Sequence, residues 1–209
     1  MRQKGTIFVD LEFVLAALGY MRNCRGVIMD KIKNIRGKRA ADILRETGQE
    51  HSFPISLNKI VEHYEISAQA IDFSFLEHGL PDNVVSARGR ILGAMITSET
   101  GNTTIFYSND PELMSDHRYR FTVAHELAHA CINGQPNHIE FRHDRESDDE
   151  VEHLANIFAG ELLVPLPQLE EVSKQLIFPT VKNLAEVFEV SNAVMFARLK
   201  HLGRTDLYI

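Results

Sequence analysis

The chain has 209 residues, 44% of them hydrophobic and 24% charged, proportions that exclude global disorder and suit one core with appendages. A formal net charge of −7 argues against a nucleic-acid binder over its whole surface and leaves room only for a local basic patch. Two cysteines, Cys24 and Cys131, are too few for a secreted disulfide scaffold of this size and read as reduced thiols in a cytoplasmic protein.

Near the start, Arg2 and Lys4 precede an apolar stretch that resembles a signal peptide. Asp10 and Glu12 interrupt it, and no small-residue cleavage site follows. Leu11, Val14, Leu15 and Leu18 instead fall on one helical face, which predicts a helix over about 9–22. No run of about 18 apolar residues occurs anywhere, so no membrane span is expected. A second helix is predicted over about 26–47. It is basic, with Arg25, Lys31, Lys33, Arg36, Lys38, Arg39 and Arg45 opposed by Asp30, Asp42 and Glu46. Such a run is ordinarily a solvated face, with contact to nucleic acid or an acidic partner as the lesser reading.

Gly48 ends that helix, and 52–54 reads as a linker into a short helix over 56–64 capped by Ser56. Residues 66–83 are irregular and receive no element. Segments 90–96 and 103–107 look like two strands joined by Thr100-Gly101-Asn102, a plausible hairpin with an edge to offer an extended peptide. Ser115 or Asp116 then caps a helix that runs to about Ile132, with Gly134 beyond its end. A polar, acidic loop follows. Ser147-Asp148-Asp149-Glu150 matches a capping box and opens a helix that Pro165 and Pro167 stop. The rest is helical, without internal repeats or low-complexity tracts. These elements predict an N-terminal helical extension over 1–50, a core over 53–168 and a C-terminal helical extension over 169–209.

The chemistry is concentrated in Phe121-Thr122-Val123-Ala124-His125-Glu126-Leu127-Ala128-His129, which contains H-E-x-x-H. Residues four apart on a helix project from one face, so both imidazoles can reach one tetrahedral metal at about 2.0–2.1 Å per nitrogen. Glu126 stands beside that face, able to reach a hydrolytic water without being a ligand. The alternative is an exposed helix with two surface histidines. The apolar flanks (Phe121, Val123, Leu127, Cys131, Ile132) argue against it, because a buried helix carries such groups only when they are partnered. Downstream, His138, Glu140, His143, Glu146, Glu150, Glu152, His153 and Glu161 could each supply a third ligand. Helix geometry favours Glu152, whose face continues through Ala155, Asn156 and Ala159, without closing the choice. Asn156, one turn further on, is placed to hydrogen-bond a ligand imidazole.

Arg118-x-Arg120-Phe121-Thr122-x-Ala124-His125-Glu126-Leu127-x-His129, followed by Glu152-x-x-Ala155-Asn156-x-Phe158-Ala159-x-x-Leu162-Leu163-x-Pro165, resembles the ImmA/IrrE family of metallopeptidases over about residues 53–168. The resemblance implies an α+β, zincin-like core, a small mixed or antiparallel sheet with an active-site helix, holding one Zn2+ ion. It carries over His125 and His129 as metal ligands, Glu126 as the catalytic base and Glu152 as the third ligand. Ala128 stands where the family often has Gly, and Val164 where Met is common; neither is a ligand position. The residue that polarises the substrate carbonyl is left open. Members of the family act on helix-turn-helix repressors of prophages and mobile elements or on stress regulators, which implies a protein substrate of that class.

The C-terminal phrase Leu184 to Val194, followed by Arg198-Leu199-Lys200, resembles a helix-turn-helix with Ser191 capping its second helix. Over 180–209, Lys182, Arg198, Lys200 and Arg204 face Glu186, Glu189 and Asp206, only one net positive charge. A packed helical extension or a partner-docking surface is therefore favoured over DNA contact. Two alternatives stand beside the peptidase: a DNA-binding transcription regulator that senses a signal through the zinc fold, and a non-catalytic interaction module of the toxin–antitoxin kind.

Overall fold

In the computed structural model, residues 35–77, 89–97, 103–132, 138–143 and 150–207 are described. The predicted helix over 9–22 lies outside them. Of the predicted helix over 26–47, the described part is helical only in α1 (Ala40–Glu46). Gly37 breaks it: its φ is +76°, a left-handed conformation that glycine adopts without steric cost, and its N–H bonds the Cys131 carbonyl oxygen at 2.8 Å. Arg39 then opens α1 by pairing with Asp42. Three basic residues in the described part of this stretch are paired. Arg39 and Arg45 flank Asp42, and Lys38 contacts Glu46.

Helix α2 (Leu57–His63) starts as the sequence predicts, with the Ser56 hydroxyl accepting from the Lys59 N–H. The region left without an element contains strand β1 (Ser67–Ile71) and a short helix α3 (Ser74–Glu77). Next comes the predicted pair, β2 (Ile91–Thr97) and β3 (Thr103–Ser108), antiparallel and almost wholly buried. Helix α4 (Asp116–Ile132) carries the H-E-x-x-H segment, with the Ser115 hydroxyl accepting from the Arg118 N–H at its start. Part of the expected acidic loop is in fact strand β4 (His138–His143). Helices α5 (Glu150–Leu163), α6 (Leu166–Gln175), α7 (Val181–Phe188) and α8 (Asn192–His201) complete the chain, followed by a turn of 3-10 helix at Thr205–Leu207.

The fold is α+β, with a four-stranded mixed sheet in the order β1-β3-β2-β4. β1 runs parallel to β3, whereas β2 is antiparallel to both β3 and β4. This corrects the expectation that the hairpin offers a strand edge. β2 and β3 are both inner strands, and among the described residues it is β1 and β4 that have a single partner. Helix α4 lies across β2 and β3, and α5 packs against α4. Ala124 and Ala128 on one helix, with Ala155 and Ala159 on the other, are fully buried. Side chains that small let the two helix axes approach closely.

One hydrophobic cluster joins these layers. It includes Ile43 and Leu44 from α1, Leu127 and Ala130 from α4, Leu162 and Leu163 from α5, and Phe188, Met195 and Leu199 from the C-terminal helices. The helix-turn-helix phrase is therefore an integral wall of the core. Ser191 caps α8 as predicted, accepting from the Val194 N–H. Arg198, a candidate for DNA contact by sequence, is 6% exposed and donates from Nε to the Val164 carbonyl oxygen. Arg204 is paired with Asp206. No helix among the described residues is long and apolar enough to cross a membrane.

Gln49 holds the segment between α1 and α2. Fully buried, it accepts the Ser56 N–H at 2.7 Å and donates to the Ser56 carbonyl oxygen at 3.1 Å. Gln49→Leu would leave both main-chain groups unpaired in the interior. We expect a loss of about 2–4 kcal/mol in guanidinium unfolding, whereas a loss below ~0.5 kcal/mol would show that water replaces the amide.

Candidate metal centre

Helix α4 is buried from Thr122 to Cys131, so both histidines of the motif lie inside the protein. Their spacing of four sets the rings edge to face, with centroids 4.7 Å apart and the two Nε2 atoms 3.0 Å apart. Glu152, in the first turn of α5, extends its carboxylate between them: Oε2 lies 3.2 Å from His125 Nε2 and Oε1 3.3 Å from His129 Nε2. All three ligand atoms fall within 4.8 Å of one another, and among the described residues this is the one group of three such side chains. Of the other third-ligand candidates, Glu150 and His153 are exposed, and Glu161 lies against Arg198. Glu146 lies outside the described residues.

Asn156 stands one turn beyond Glu152, and its Oδ1 accepts the His125 Nδ1–H at 3.0 Å. That bond selects the tautomer with its lone pair on Nε2, the atom facing Glu152. Burial pushes the His125 pKa down to about 4 against the opposing pull of Glu152, so the imidazole is neutral at physiological pH. The unprotonated His125 Nε2 converges with His129 Nε2 and the Glu152 carboxylate. The set fits a divalent cation.

Glu126 is fully buried, with Oε1 close to Gly93 of the sheet. Gly93 on β2 makes that possible. A methyl group at this position would sit 2.7 Å from Thr122 Cγ2 and 3.0 Å from Glu126 Oε1, so only glycine lets α4 settle this closely. The residue opposite Gly93 in the β2–β4 register is Arg142, which sequence reasoning did not single out. Its guanidinium lies 4.8 Å from the Phe121 ring centroid, and its charge acts on Glu126 and Glu152. The alternating polar and apolar residues of His138-Ile139-Glu140-Phe141-Arg142-His143 are the signal that could have identified a strand there.

An α+β unit with two helical histidines and a carboxylate drawn to one buried point belongs to the class of metal-dependent hydrolases. The profile of the IrrE N-terminal-like domain (Peptidase_M78) matches residues 92–200, just over half of the chain, and the protein belongs to this family of peptidases. The match runs from β2 through α8 and so includes the C-terminal helices. No curated protein matches the chain.

The packing at Gly93 can be tested. Gly93→Ala forces β2 and α4 apart, and we expect unfolding free energy in urea to fall by about 1–3 kcal/mol. An unchanged midpoint would mean that Thr122 and Glu126 yield without cost.

Proposed function

We propose that this protein is a zinc-dependent endopeptidase of the cytoplasm that cleaves a regulatory protein, with a helix-turn-helix repressor as the favoured substrate. The observation that carries the reading is the convergence of His125, His129 and Glu152, beside buried Glu126, in a chain of a peptidase family. A zinc ion in this site would supply a Lewis acid that lowers the pKa of water towards ~7 and polarises a carbonyl. His125 Nε2, His129 Nε2 and the Glu152 carboxylate would hold it, and Asn156 keeps the His125 ring in the ligating tautomer.

Glu126 receives the proton of the attacking water and returns it to the departing amine nitrogen. Its burial beside the sheet keeps it out of the ligand set while leaving it near the reaction. An extended peptide would add to the outer edge of β4, where main-chain pairing fixes the scissile bond in register with the site. The choice of a repressor rests on the likeness of the two motifs to the ImmA/IrrE family. A DNA-binding role has less support, since Arg198 is committed to Val164 and Arg204 to Asp206. A purely structural metal site would have no use for a carboxylate such as Glu126 next to the ligands.

Glu126→Gln should retain one zinc per chain and lose at least ~100-fold in cleavage of a co-incubated helix-turn-helix repressor. Glu152→Ala should lose stoichiometric metal after dialysis, and Asn156→Ala should weaken metal affinity about 10–100-fold in chelator competition. A fully active Glu126→Gln enzyme would remove the base from the mechanism.

A further inference from the structure

We propose that Arg142 is a catalytic residue, donating hydrogen bonds to the substrate carbonyl oxygen as that oxygen gains negative charge. The inference deepens the peptidase reading and depends on it.

Three observations place the group. Arg142 pairs with Gly93 across β2 and β4, and side chains directly opposite on neighbouring strands share a face of the sheet. That face is the one turned to Glu126, since a methyl group on Gly93 would meet Thr122 and Glu126. Secondly, the guanidinium is stacked over Phe121, one helical turn before His125, with the Phe121 and His125 rings 6.4 Å apart. The stack holds a long, flexible side chain in one place. Thirdly, Nε and Nη1 are sealed from solvent and have no hydrogen-bond partner among the described residues. Burying guanidinium donors without an acceptor is costly unless a ligand supplies one.

The surrounding charges are consistent with this role. Glu126 and Glu152 act on Arg142 from the carboxylate side and Arg118 from the cationic side. A guanidinium present only to neutralise Glu126 or Glu152 would place its buried N–H groups on their oxygens, but Nε and Nη1 bond neither. An arginine remains protonated in such a place, so it offers a fixed positive charge and a planar fork. In peptide hydrolysis the water oxygen adds to the carbonyl carbon, and the C=O π pair moves onto the carbonyl oxygen. The C–N bond then breaks, and the proton taken from water by Glu126 goes to the amine nitrogen. Negative charge on the carbonyl oxygen exists only between those events. Donors waiting for it act on the transition state more than on the bound peptide.

The test uses the full chain loaded with Co2+, whose visible absorption reports the metal site directly. Methylphosphonate serves as a tetrahedral anionic probe and acetohydroxamate as a planar one. With Arg142→Met we expect an unchanged cobalt spectrum before probe is added. Methylphosphonate should then bind about 10–100-fold more weakly and acetohydroxamate within about twofold of the parent. Arg142→Lys keeps the stem and the charge, guards against a misfolded Met variant, and should recover part of the lost affinity. If both variants bind methylphosphonate as the parent does, the role of Arg142 is overturned while the metal reading stands. If the parent chain gives no cobalt spectrum, the metal reading fails, and the proposal with it.

Discussion

His125 Nε2, His129 Nε2 and the Glu152 carboxylate lie within 4.8 Å of one another, and the packing around them has to hold these polar groups together. The convergence is made by two helices in contact. Alanines line both sides of the α4–α5 contact, so the helix carrying the histidines and the helix carrying Glu152 can approach until their side chains meet. Gly93 does the same service on the sheet side, letting the opposite face of α4 sink towards β2. The site is thus a consequence of small residues at two contacts as much as of the ligands themselves. A divalent cation bound there would be coupled to holding the helices in place.

Much of this was legible in the sequence because helical spacing is a strong signal. His125 and His129, four apart among apolar neighbours, predicted a shared face, and the structure sets their rings edge to face. The small residues after Glu152 predicted a close helix contact, which α5 makes. The fold class was legible too, as was the β2–β3 pair. What escaped notice was short and weakly patterned. β1 reads Ser-Ala-Gln-Ala-Ile, a segment of low intrinsic strand preference that becomes a strand because β3 offers it a parallel partner. β4 carries charges that make the sequence read as a polar loop, although its residues alternate as a strand's do. With it went Arg142, whose importance comes from a cross-strand neighbour that only the register reveals. In the described part of the predicted helix over 26–47, Gly37, with its left-handed backbone, keeps the residues before Ala40 out of the helix.

The C-terminal helices illustrate how a motif can persist while its surface is put to another use. The α7–α8 turn has the cap and spacing of a helix-turn-helix, including Glu189 in a left-handed conformation at φ +52°. A non-glycine residue there is unfavourable unless its surroundings hold it. Arg120, on the active-site helix, supplies that hold by donating to the Glu189 carbonyl oxygen and, from its other arm, to the Ile55 carbonyl oxygen. One side chain of α4 therefore ties the turn and the segment before α2 to the helix that bears the histidines.

Phe188, Met195 and Leu199 have a practical consequence for anyone seeking a minimal enzyme. They close the same apolar interior that Leu127 and Leu162 occupy. A gene shortened at the prolines after α5 would lay that interior open to water and free Arg120 from the Glu189 carbonyl. Such a fragment would keep every ligand in its sequence and still be prone to precipitate. The smallest unit worth expressing extends at least to Leu207, whose side chain is the last one buried among the described residues.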